Sequence, residues 1–127
     1  MDDTGAPIGG PIGVVLVDDH RMFAESLSRL LADEEGIRVV GIAANGAEAL
    51  EMVARFDGSI DLVVSDVAMP RMRGDELANR LAELRPGLPV ILVSGYDSGA
   101  VDAVGHVLPK PVGEEELLRA VREALDA

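Results

Sequence analysis

Five side chains suited to handling charge stand where short apolar runs of the sequence end. Asp18 and Asp19 follow Val14-Val15-Leu16-Val17, Asp66 follows the run Asp61 to Ser65, Ser94 follows Pro89 to Val93, and Lys110 follows His106 to Leu108 between Pro109 and Pro111. Three ionised carboxylates at ~4 Å repel one another by on the order of 4 kcal/mol per pair at an effective dielectric near 20. Either one acid then takes up a proton or a cation binds. The chain has no Cys and its two His are not paired in sequence, so an oxygen-donor set favours a hard ion such as Mg2+. The Lys110 ammonium and the Ser94 hydroxyl would add a compact positive charge and a hydrogen-bond donor for a phosphoryl oxygen. Taken singly, an Asp here caps a helix, the Ser forms a turn and the Lys is a solvated loop residue. The shared placement of all five is what points to chemistry.

The elements that must position them are legible as alternating patterns. Val14 to Val17, Ile37 to Ala43, Asp61 to Ser65, Pro89 to Val93 and His106 to Leu108 read as strands. Helical spacing links Phe23, Leu27, Leu30 and Leu31, then Ala47, Leu50, Val53 and Ala54, then Leu77, Leu81 and Leu84 before the Pro86-Gly87 stop. Glu114 to Leu125 reads as a closing helix with Leu117, Leu118, Val121 and Leu125 inward, its early glutamates suiting a helix amino terminus. Strands alternating with helices imply an α/β fold, a parallel sheet covered on both faces. Between the fourth and fifth strands only Tyr96 to Gly105 remains, enough for two helical turns at most, with Gly99 weakening them. In such sheets ligands collect outside the carboxyl ends of the strands. Neighbouring strands are ~4.8 Å apart, so if strands one and three are adjacent the three carboxylates converge.

Composition narrows the function classes. A length of 127 residues fits one domain with a real core. The only aromatics are Phe23, Phe56 and Tyr96, so aliphatic side chains must build that core, with Phe23 and Phe56 expected inside it. Twenty-three acidic against eleven basic residues give a net charge of −12, which disfavours direct contact with nucleic acid or anionic lipid. No apolar run reaches membrane-spanning length, and the lack of Cys suits a reducing cytoplasm. Residues 1–12, rich in Gly and Pro, read as a flexible tail before a domain over residues 13–127.

Val17-Asp18-Asp19-His20, Ser65-Asp66-Val67-Ala68-Met69-Pro70 with Gly74, Ser94-Gly95 and Pro109-Lys110-Pro111 together resemble, in order, the signature of response regulator receiver domains of two-component signalling. The resemblance covers about Gly13 to Ala127. It implies a flavodoxin-like doubly wound five-stranded sheet of order 2-1-3-4-5 with helices on both faces, from which this chain departs in a fourth helix shorter than usual. It also implies that Asp66 is the phosphoacceptor, that Asp18, Asp19, Asp66 and the backbone carbonyl of Ala68 hold Mg2+, and that Ser94 and Lys110 engage the phosphoryl group. A cis bond between Lys110 and Pro111 belongs to the same inheritance. The implied partners are a sensor histidine kinase or phosphotransfer protein and a downstream protein target; whether the chain forms a homodimer is not fixed. Such a protein is a switch rather than a conventional enzyme, since the residue it modifies is its own.

The chain departs from the family's pattern in places. Val107 stands where receivers usually carry Tyr or Phe, and His106, one residue away, points to the opposite face by strand alternation. Tyr96 and Ala68 occupy positions that tune dephosphorylation in the family; a bulky and an apolar residue there favour a long-lived phosphorylated form. His20 reads as a surface residue bordering the acidic pair, and Met22, Met69 and Met72 as either an adaptable rim for a kinase helix or ordinary packing. Two rival functions remain open. A phosphatase with an Asp nucleophile needs a second Asp two residues on, where Ala68 sits. A receiver-like interaction module acting without phosphorylation fits Val107 and the short connection but leaves the intact acids and Lys110 unexplained.

Overall fold

The computed structural model describes residues 11–34, 36–94, 106–109 and 112–126. The apolar runs form strands β1 (Ile12–Val17), β2 (Ile37–Ala43), β3 (Leu62–Asp66), β4 (Val90–Ser94) and β5 (His106–Pro109). Between and after them lie helices α1 (Arg21–Ala32), α2 (Gly46–Arg55), α3 (Gly74–Leu84) and α4 (Glu114–Asp126). All strand pairs are parallel, in the order β2-β1-β3-β4-β5, as the resemblance implied. The tail over residues 1–10 and the connection at 95–105, where the short helix was expected, lie outside the described residues. Among the described residues no helix is long and apolar enough to cross a membrane.

Alternation along the strands sends side chains into two separate cores. Val15, Val17, Val63, Val90 and Leu92 join Ala49 and Val53 of α2 and Leu77, Ala78 and Leu81 of α3. Val14, Leu16, Leu62, Val64, Ile91 and Val93 join Leu27 and Leu31 of α1 and Leu117, Ala120, Val121 and Ala124 of α4. Burial on both faces explains why these strands read as continuous apolar runs. In β2 the register shifts: Val14 pairs Val39 while Val15 pairs Gly41, leaving Val40 as an extra residue. Strict alternation would put Val39 and Ala43 on one face. The bulge resets the phase, so Val39 packs toward α1 and Ala43 toward α2.

Several expected positions move by a turn or less. The strand β1 starts at Ile12, two residues before the apolar run suggested, because Ile12 N–H donates to Gly36 O at 2.7 Å and Gly13 N–H to an Asp61 carboxylate oxygen at 2.8 Å. On α2 the inward face is Gly46, Ala49 and Val53, while Ala47 and Ala54 are exposed. Phe56 is exposed rather than core, because it stands at the C-cap of α2 beyond the last inward position. Phe23 does pack, half-buried, against the α1–α4 core. Leu84 is exposed in the last turn of α3, and Leu118 and Leu125 of α4 are only half-buried.

The acidic end of β3 is fixed by a close backbone approach. A Cβ built on Gly74, the first residue of α3, would stand 2.3 Å from the carbonyl oxygen of Asp66 and 2.9 Å from Cα of Val67. Nothing but glycine lets α3 start this near to the strand. The Gly74→Ala variant should lose about 1–3 kcal/mol of stability, the range for overpacked sites. Gly58→Ala, where an added Cβ meets nothing within 4 Å, should be close to neutral. Urea unfolding of the two variants checks this; equal stabilities would contradict the packing argument.

Candidate functional site

Strand register explains the site. In the β1–β3 pair Val17 lies opposite Ser65, so the next residue of each strand, Asp18 and Asp66, emerges side by side at the carboxyl edge. Asp66 in turn lies opposite Val93, and Ser94 opposite Pro109. The ends of β1, β3, β4 and β5 therefore present Asp18, Asp66, Ser94 and Pro109 along one rim. Lys110 follows Pro109 in sequence and lies outside the described residues, as do Tyr96 and the Lys110–Pro111 bond.

Asp18 and Asp66 are buried, with 4% and 2% of their surface exposed. Asp19 and His20 are exposed at the start of α1. One ligand-type atom from each of Asp18, Asp19, His20 and Asp66 lies within 4.8 Å of the other three. This spacing suits a single small cation, and the predominance of carboxylate oxygen suits a hard one. Ala68, two residues after Asp66, is exposed in the loop that follows β3, on the side of the strand end that the acids share.

Local structure holds each acid where it is. The N–H of Asp18 donates to Ala43 O at 3.0 Å, extending the β1–β2 ladder by one residue. Its Oδ1 accepts the N–H of His20 at 2.8 Å, so the helix-capping role open to this Asp is partly realised alongside its place in the cluster. After Asp66, the Val67 N–H donates to Val93 O at 3.0 Å, and Val67 O accepts from both Met69 (3.0 Å) and Gly74 (2.9 Å). The buried Ser65 hydroxyl donates to Asp66 O at 3.0 Å. Arg71 adopts a left-handed φ of 71° near the apex of this loop, a conformation costing roughly 1–2 kcal/mol in a non-glycine residue. Met69 is buried in the α2–α3 core and anchors the loop, Met72 is half-buried beside it, and Met22 is largely exposed. The three methionines thus form no common rim.

A cleft of about 360 Å3 adjoins the acidic pair on the β2 side, lined by Asp18, Asp19, Arg21, Glu25, Ile42, Ala44 and Glu48. Asp66 is not on its wall, so the cleft flanks the carboxylate cluster rather than containing it. His20 Nδ1 lies 3.4 Å from Asp18 Oδ1 and 3.2 Å from Asp19 Oδ1. Ser65 and Gly74, which stand in the sequence signature without a stated role, prove to contact the Asp66 backbone, Ser65 through its hydroxyl and Gly74 through the close approach of α3. His20 stood in plain view but was read as a surface residue; it is exposed and belongs to the cluster as well.

The chain is 36% identical over 115 residues to a sensor kinase, CckA, of Brucella abortus, covering 76% of this chain and 12% of that protein. It is 37% identical over 125 residues to the response regulator MprA of a Mycobacterium species, covering 91% of this chain and 51% of that one. The chain thus spans about half or less of these curated relatives. Among solved structures, the signal receiver domain of the response regulator NarL from Mycobacterium tuberculosis superposes with a TM-score of 0.80 at 30% identity, covering 92% of this chain and 98% of that one. A CheY-like receiver domain protein from Methanospirillum hungatei does so with a TM-score of 0.79 at 31% identity, over 92% and 95% of the two chains. Residues 14–122 match the response regulator receiver domain, and with the sheet order and the acids at its carboxyl edge they make this chain a member of that family.

Proposed function

We propose that the domain is a phosphoacceptor switch in which Asp66 takes a phosphoryl group from a phosphohistidine of a sensor histidine kinase or phosphotransfer protein. The observation that carries this reading is the buried Asp66 carboxylate, with Asp18, Asp19 and His20 offering ligand atoms within 4.8 Å of it and of one another. A Mg2+ held by Asp18, Asp19, Asp66 and the Ala68 carbonyl would, when bound, neutralise charge on the transferred group.

The chain's own residues do the rest. An Asp66 carboxylate oxygen attacks phosphorus in line, the P–N bond of the donor breaks, and the leaving imidazole takes a proton. The hydrogen bonds of Val67 with Val93, Met69 and Gly74 hold the backbone next to the Asp66 carboxylate in place. The product carries new acceptor oxygens, which the Ser94 hydroxyl and the Lys110 ammonium would capture, favouring one of two loop arrangements and so shifting the population seen by a downstream protein. Hydrolysis of the acyl phosphate resets the switch. We place the domain in the cytoplasm, and its signal passes by protein contact rather than by direct binding of nucleic acid.

Incubation with Mg2+ and a small acyl-phosphate donor, followed by intact-mass measurement, tests the reading. The wild type should gain one phosphoryl group and the Asp66→Asn variant none. Omitting the metal should slow labelling by at least about tenfold, one tenfold step being 1.36 kcal/mol of barrier. Equal labelling of wild type and variant, or none in either, would refute it, the latter favouring an interaction module that works unphosphorylated.

A further inference from the structure

The N-cap of α1 is an unusual place for a histidine. Ser, Thr, Asp and Asn are preferred there because a short side-chain oxygen caps the free N–H groups of the first turn. The His20 side chain makes no capping hydrogen bond, and the free N–H of His20 itself is taken by Asp18 Oδ1. The ring instead turns back onto the acidic pair. Its Nδ1 lies 3.2 Å from Asp19 Oδ1 and 3.4 Å from Asp18 Oδ1.

Those separations match the edges of a coordination shell. Donors about 2.1 Å from an ion in an octahedral array stand about 3.0 Å apart along each edge. In a tetrahedral array with donors about 2.05 Å from the ion the spacing is about 3.4 Å. His20 Nδ1 is thus spaced from Asp18 Oδ1 and from Asp19 Oδ1 as one ligand of a cation is from its neighbours, and a ligand atom of Asp66 lies within 4.8 Å of the group. An imidazole nitrogen adds little for Mg2+, which prefers oxygen, but much for later first-row ions, whose affinity for nitrogen rises toward Ni2+ and Cu2+.

We propose that His20 is a specificity-determining ligand of the acidic site, giving it a preference for nitrogen-favouring divalent ions such as Ni2+ or Co2+ over Mg2+. This rests on the reading of Asp18, Asp19, Asp66 and the Ala68 carbonyl as a cation site and adds a fifth protein ligand to it. Ligation uses Nδ1 with the proton on Nε2, the neutral tautomer that metal binding requires. His20 is exposed, with 70% of its side chain open, so its removal leaves the cores untouched.

Calorimetric titration of untagged protein with Ni2+ and with Mg2+, at one fixed pH, tests the proposal. His20→Ala should weaken Ni2+ binding by at least about tenfold while changing Mg2+ binding by less than about threefold. His106→Ala, removing the chain's other histidine, should change neither. In the Mn2+-loaded protein, pulsed electron paramagnetic resonance should show nitrogen modulation that vanishes in His20→Ala. Unchanged Ni2+ affinity, an equal loss for both ions, or nitrogen modulation that persists overturns the role of His20. Asp18→Asn separates the two levels: if it abolishes binding of both ions while His20→Ala does nothing, the cation site stands and the histidine ligand falls. If the wild type binds neither ion, the cation site itself falls and the ligand role with it.

Discussion

Like charges forced together at the end of a rigid sheet are the constraint on which this molecule turns. The register that sets Val17 beside Ser65 brings Asp18 and Asp66 to adjoining strand ends, and both are buried. Burial weakens solvent screening, so their mutual repulsion is felt more strongly than it would be on an open surface. The backbone that carries each acid is held in place. Asp18 is tied through its N–H to Ala43 and through its carboxylate to His20, and Asp66 sits between the β1 and β4 ladders. The crowding is imposed by the backbone, which two aliphatic cores hold in place.

Those cores divide the work. The α1–α4 face contributes Leu16, Leu31, Ile91 and Leu117 to a layer beneath the β1–β4 strands. The α2–α3 face does the same and also reaches up to the loop after Asp66 through Met69. The β2 bulge at Val40 sets which residues of that strand meet which layer, since without it Ala43 would face away from α2. A negatively charged cluster is thus carried by two neutral aliphatic layers. The Gly74 approach to Asp66 is the point where the packing layer and the chemical layer touch.

Most of this was legible from residue order. The five apolar runs, the acids at their ends and the Leu27–Leu31, Leu77–Leu81 and Leu117–Val121 stripes found their places, because strands buried on both faces and amphipathic helices leave strong periodic signals. What was less visible depended on geometry between distant residues. Periodicity could not show that Ala49, rather than Ala47, faces the sheet. Nor could it show that Phe56 falls beyond the last inward turn of α2, or that a bulge at Val40 changes the phase of β2. The methionines divided between core, margin and surface because their spacing alone carries no direction. His20 was read correctly as exposed and too narrowly as peripheral, since only three-dimensional distance reveals that its ring turns toward the acids instead of capping the helix.

On the proposed reading, repulsion among the acids is the cost that a divalent ion relieves. The most direct measurement is the urea unfolding midpoint of wild type and Asp18→Asn, each without and with saturating Mg2+. Asn keeps the side-chain oxygen that accepts the His20 N–H but removes the charge. The account predicts that the variant is more stable than wild type without the ion, and that added Mg2+ raises the wild-type midpoint, by the linkage of binding to folding, while leaving the variant nearly unmoved. A variant that is less stable without the ion and gains as much from Mg2+ as wild type does would contradict it.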